Sequence, residues 1–197
     1  YISYIRGQNS NFPERIYPDI NNDPNVLKIS EIPKYKSNND LIPEKNRIKY
    51  LKLVGSTMSD YQYKSYKHYL NLDANDKNNF TSEYTYSVQS LNITFPNNLI
   101  ASFGAIDKCF NKHKGNKYSY KSDILKKYGR FLKYNLIDKY SCKFKNIFNY
   151  IISSTGIIFI YSSCIKAGIL PLSLFLEQNG FVKYGFNKDY NNVLDEP

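Results

Sequence analysis

Lysines and aromatic rings interleave along one stretch of this sequence in a pattern suited to phosphate and base contact. Between Asp107 and Lys145 stand twelve Lys or Arg residues against three Asp, a local net charge of +9 within a chain whose total is +10. Ammonium groups at that density track a polyphosphate backbone by releasing its condensed counterions. Rings such as Tyr118, Tyr120, Tyr128, Phe131, Tyr134 and Tyr140 are of the type that stacks on bases. The candidate nucleic-acid contacts are Lys112, Lys114, Lys117, Lys126, Arg130 and Lys133. The competing reading is a solvated helix face over core aromatics, because Tyr128 and Phe131 fall on the apolar side of their segment.

Total charge alone carries less weight. Lysine outnumbers arginine 23 to 4, and asparagine, isoleucine and tyrosine are abundant too. All four favoured residues have A/T-rich codons, so a base-composition bias accounts for part of the lysine. Such a bias spreads lysine evenly, and here it is clustered.

Other chemistry is poorly provided for. Cys109, Cys142 and Cys164 are an odd number, widely spaced and in no metal-ligand pattern, which reads as reduced thiols. His68 and His113 are the only imidazoles, so neither a zinc set nor a Cys/His nucleophile system is in view. No carboxylate pair has a catalytic arrangement. The expectation is no catalytic residue and no metal site.

The elements that position these residues can be read from pattern. Pro13, Pro18, Pro24, Pro33 and Pro43 make residues 1–48 an extended connector. RIKYLKLVGSTMS alternates as a strand, and SDYQYKSYKHYLNL follows as a helix with Ser59 or Asp60 at its N-cap. Within that helix Tyr63, Tyr66 and Leu70 best share a face, and the tyrosines read as packing. Residues 72–121 read as loops and short elements. In SDILKKYGRFLKYNLI one helical face gathers Ile124, Leu125, Tyr128, Phe131, Leu132 and Leu136, with Lys126, Arg130 and Lys133 opposite. SCKFKNIFNYIISS repeats the logic with Ser141 as N-cap.

The apolar run from Ser154 to Phe181 is broken by serines, Lys166 and Pro171, which argues against a membrane span. It predicts a βαβ unit. Gly156–Ile160 would be a central parallel strand, Ser162 and Ser163 the turn and N-cap, and Pro171 the first turn of a second helical segment. Asn179-Gly180 would close that helix before FVKYGF begins the next strand. No secretory leader is recognisable in residues 1–30. A first residue that is not methionine suggests a piece of a longer polypeptide.

The same stretch resembles the motif IV region of superfamily 2 helicases of large DNA viruses, of the mimivirus and asfarvirus type, related to the poxvirus early-transcription-factor ATPases. The resemblance lies in Tyr161-Ser162, in Gly168 with Pro171-Leu172, and in Leu176-Glu177 with Gly180-Phe181. Three more stretches agree in order: Tyr1–Pro18 with the segment after motif III, Ser56–Tyr66 with a Met-Ser-x-x-Gln-x-x-x-Tyr helix start, and Lys139–Phe144 with the helix before motif IV. The resemblance implies an α/β fold, a partial RecA-like helicase. Its parts would be a connector (1–48), the end of the first RecA-like domain with a basic helical insert (49–138), and the start of the second (139–197). It places Tyr161, Ser162, Ser163 and Lys166 at the strand backbone or the nucleotide cleft. It also implies ATP and Mg2+ in the intact parent, DNA or RNA and the viral transcription machinery as partners, and a cytoplasmic setting in a viral factory or virion.

Departures limit that reading. The sequence has no G-x-x-x-x-G-K-[ST] loop and no DExH carboxylates, which superfamily 2 catalysis needs around the phosphates and magnesium. The arginine-rich motif VI that it also needs would lie beyond Pro197. The chain alone is expected to hold no cofactor and to hydrolyse nothing. The alternative is a non-catalytic nucleic-acid-binding or scaffold subunit derived from a helicase.

Overall fold

The computed structural model describes residues 40–46, 54–75, 85–184 and 192–195. The first expected strand (47–53), most of the proline-rich connector and the Tyr1–Pro18 resemblance lie outside them. The chain divides into two compact units, Tyr1–Thr57 and Met58–Pro197. Among its described residues the first carries a single 3-10 turn, Glu44–Asn46.

The second unit is mixed α/β and predominantly helical. In order it contains α1 (Asp60–Asn75), α2 (Thr85–Asn92), α3 (Ala105–Cys109), β1 (Phe110–His113), β2 (Lys117–Tyr120), α4 (Ser122–Tyr128), α5 (Tyr134–Tyr140), α6 (Cys142–Ser153) and α7 (Leu170–Gln178). The strands form an antiparallel hairpin with Phe110 opposite Tyr120 and His113 opposite Lys117. Residues Val193–Asp195 lie alongside β2. Tyr118 N–H donates to the Val193 carbonyl (2.7 Å) and Asp195 N–H to the Tyr118 carbonyl (2.8 Å). The buried carboxylate of Glu177 holds that piece by accepting the Val193 and Leu194 amides at 3.0 and 2.6 Å.

Phe131 is the centre of the core. Its ring meets Tyr140 at 5.3 Å, Tyr120 at 5.6 Å, Phe110 at 5.8 Å and Phe95 at 6.2 Å. The long helix expected over residues 122–137 is interrupted to place it there. Gly129 takes φ 64° and ψ −162°, a conformation essentially confined to glycine, and the chain turns inward through Phe131 and Leu132. Ile137 is therefore buried where Leu136 was expected, and Leu125 and Leu136 remain exposed.

The N-cap expectations for Ser59 and Ser141 hold. Ser59 Oγ accepts the Gln62 amide at 3.1 Å and Ser141 Oγ accepts that of Phe144 at 3.0 Å. Each hydroxyl also ties its helix start to the end of another: Ser59 donates to the Lys139 carbonyl and Ser141 to that of Asn92. Between them Gln62 is fully buried. Its Nε2 donates to the Ser90 carbonyl at 2.9 Å and its Oε1 accepts the Cys142 amide at 3.2 Å. The buried face of α1 is thus Gln62, Ser65 and Tyr69, one residue off the expected Tyr63–Tyr66–Leu70 face. The Gln62 amide is bridged on both sides, whereas Ser65 Oγ is buried without a hydrogen-bond partner among the described residues.

The expected βαβ unit is not formed among the described residues. Gly156–Ile160 is not a strand; Ile157 is fully exposed and Phe159 is 88% exposed. A central parallel strand needs neighbours on both edges and layers on both faces, and no described residue supplies them. Phe181–Tyr184 is likewise exposed and irregular. The helical half of the expectation stands, with Pro171 in the first turn of α7 and Asn179 at its C-cap. No helix among the described residues is long and apolar enough to cross a membrane.

Burial also sets the chemistry of the thiols. Cys109 is pushed up from 9.0 to about 12, chiefly by desolvation, with the Asp123 charge adding to it. Its protonated form is favoured by the fold, so its contribution is intact below pH 9 and is lost as pH rises toward 12. Chemical denaturation should show stability falling above pH 9, with Cys109 contributing up to about 1.4 kcal/mol per pH unit beside the likewise raised Tyr61, Tyr120 and Cys142, and a shallower fall in Cys109→Ala. At pH 8 a thiol reagent should modify Cys164 quickly, leaving the buried Cys109 and Cys142 until the protein unfolds.

Candidate nucleic-acid interface

The basic stretch begins on α3 and runs through the hairpin into α4 and α5. The Lys121 amide donates to the Cys109 carbonyl at 3.0 Å, closing the base of the hairpin where α4 starts. The hairpin and α4 therefore leave from one junction. At the hairpin's far end Gly115 and Asn116 take φ of 75° and 58°, and residues Asn111–Asn116 are all exposed.

The six sequence candidates divide into two groups. Lys112 and Lys114 on the hairpin, Lys126 on α4 and Lys133 just before α5 are exposed. Lys117 is half-buried and pairs with Asp195 at 3.4 Å. Arg130 is half-buried and engaged within the fold, its charge acting on the buried Tyr120. Neither is a first-rank phosphate contact. Sequence reasoning left out Lys108, exposed on α3, and Lys127, exposed on α4. Position in the basic run was the available signal for both.

Much of the remaining charge serves packing. Lys139 lies over the rings of Tyr61 and Tyr140 at 5.1 and 5.4 Å, and Lys145 meets Asp138 at 3.1 Å. Lys143 donates to Asn92 Oδ1 at 2.7 Å, and burial lowers its pKa. The local charge of +9 therefore overstates what a ligand meets.

The interleaved rings are even less available. Tyr118, Tyr120, Phe131 and Tyr140 are buried. Tyr128 donates to Asn97 Oδ1, and Tyr61 and Tyr69 clasp the same Pro96–Asn98 turn. Tyr134 alone of the six is exposed, and its hydroxyl donates to Asn149 at 2.9 Å. What this surface offers is charge for phosphates rather than faces for bases.

No family model, curated protein or solved structure matches this chain.

The second candidate group, at the resemblance to motif IV, is not assembled around a ligand. Tyr161, Ser163 and Lys166 are exposed. Ser162 Oγ accepts the Cys164 amide at 3.2 Å and donates to its carbonyl at 3.0 Å, so neither serine caps the following turn as expected. That turn, Ile165–Ile169, is a single π-turn leading into α7. Gly168 packs so closely that an added Cβ would lie 2.1 Å from Ser162 Oγ and 3.3 Å from Cys164 Cβ. Gly168→Ala should destabilise the unit by about 2 kcal/mol, and Ser162→Ala should recover part of that loss, read by urea denaturation of the single and double variants. Among the described residues no group of three or more His, Cys, Asp or Glu could hold a metal ion.

Proposed function

We infer that this chain is part of an ATP-dependent superfamily 2 helicase of the large-DNA-virus type, inactive as a motor by itself. It contributes a phosphate-tracking contact to DNA or RNA and the opening of the second RecA-like domain. The observation that supports the contact is the exposed set of Lys112 and Lys114 on the hairpin, Lys126 on α4, which leaves the same junction, and Lys133 just before α5. The helicase assignment rests on four ordered sequence resemblances. Three of them fall on described residues that do definite local work. Gln62 bridges three helices, Ser141 caps α6, and Gly168 packs on Ser162.

ATP and Mg2+ belong to the parent's motor, and no residue of this chain is assigned to hold them. The absence of a Walker loop and of DExH carboxylates from the sequence favours a second reading, a non-catalytic nucleic-acid-binding subunit of helicase descent. Translation of the flanking reading frame separates the two: a Walker loop upstream and an arginine-rich motif VI downstream support the motor, and stop codons support the subunit.

Lysine acetylation footprinting tests the contact. With a single strand bound, Lys112, Lys114, Lys126 and Lys133 should lose most of their reactivity, while Lys64 and Lys67 on α1 keep theirs. Equal protection of both groups would contradict the assignment.

A further inference from the structure

The outer edge of β2 is covered by the chain itself. Tyr118 pairs with Leu194 in parallel register, and backbone hydrogen bonds of 2.7 and 2.8 Å hold Val193–Asp195 there. Leu194 is fully buried in the core. The Glu177 carboxylate, itself buried, accepts the Val193 and Leu194 amides. Three anchors of different kinds thus fix a segment of three residues. They also decide where its last side chain goes. Asp195 brings its carboxylate to 3.4 Å from Lys117 Nζ, on the hairpin that bears the exposed Lys112 and Lys114.

We propose that Val193–Asp195 is an autoinhibitory strap. Its carboxylate stands where a nucleic-acid phosphate would meet Lys117, so docking of the strap withholds that lysine from the phosphate-tracking surface. The inference rests on the nucleic-acid reading above and adds a means of regulation to it. A carboxylate and a phosphate offer an ammonium group the same thing, anionic oxygens as charge-assisted acceptors. The two therefore compete for Lys117, and the bound carboxylate repels an arriving phosphate. By itself the ion pair is weak, since its side chains are 38% and 37% exposed. The tether is what makes it competitive. Backbone pairing and Glu177 keep the carboxylate beside Lys117 at a high effective concentration, whereas a phosphate must arrive from solution.

Anisotropy titration of a labelled single strand with the full chain and its variants tests the strap. Asp195→Asn should raise affinity by roughly threefold at low salt and steepen the logarithmic salt slope by about 0.7, the increment for one phosphate. In a Lys117→Gln background the same substitution should gain nothing. Glu177→Gln should loosen the strap from its buried side, because an amide NH2 cannot accept a backbone N–H. Hydrogen exchange at the Val193–Asp195 amides should then quicken, and affinity should rise only where Lys117 is present. The Asp195 side chain is partly exposed, so its variant should keep the wild-type circular dichroism and decides the matter if Glu177→Gln does not fold. Salt-sensitive binding that ignores Asp195→Asn, or gains as much without Lys117 as with it, would overturn the strap alone. A chain that binds no strand at low salt, with or without these substitutions, would overturn the nucleic-acid reading and the strap together.

Discussion

Replacing Gln62 by leucine should destabilise the 58–197 unit by about 3 kcal/mol or more, although leucine is nearly the same size and more apolar. The side chain is fully buried and makes both halves of its amide count. It donates to Ser90 at the end of α2 and accepts from Cys142 at the start of α6. Leucine leaves the buried Cys142 N–H without its acceptor and the buried Ser90 carbonyl with only the long 3.5 Å contact from Thr94 Oγ1, at about 1–3 kcal/mol for each weakened or lost partner. For a unit of this size the loss corresponds to a fall in Tm on the order of 10 °C, measured by calorimetry. Gln62→Glu sharpens the test, because a carboxylate still accepts from Cys142 yet cannot donate to Ser90. It should also destabilise; a neutral result would mean that the amide bridges are incidental.

The second large effect is electrostatic. Reversing Lys112, Lys126 and Lys133 to Glu together should weaken single-strand binding by about a hundredfold at low salt and reduce the logarithmic salt slope by about 2. All three side chains are exposed, so thermal stability should barely move. The matched control reverses Lys64 and Lys67, also exposed but on α1, and should leave affinity nearly intact. Arg130 is a poor choice for this experiment, since its engagement within the fold would mix folding with binding.

Local signals in the sequence translated well where a single residue type answers a local need. Ser59 and Ser141 cap helices because a serine oxygen satisfies an orphan amide wherever it stands, and Pro171 sits in a first turn because its missing N–H is harmless there. Periodicity misled where long-range packing or polar pairing overrode it. Residues 122–137 read as one helical face, but the core draws Phe131 and Leu132 inward and glycine at position 129 allows the turn. The face of α1 was read from its rings, while the buried face carries Gln62, Ser65 and Tyr69. Gly156–Ile160 has the composition of a central strand, yet composition says nothing of whether neighbours are present. For the basic surface, charge clustering was legible and accessibility was not. That Lys117 pairs with Asp195 and Lys143 with Asn92 depends on contacts remote in sequence.

The central claim is a phosphate-tracking surface without a motor. Fluorescence anisotropy of a labelled single strand, titrated with the 197-residue chain at two salt concentrations and with ATP turnover assayed in the same tubes, tests it most directly. The account predicts binding that weakens steeply with salt and no turnover. Absent or salt-insensitive binding would contradict the surface, and turnover would contradict the missing motor.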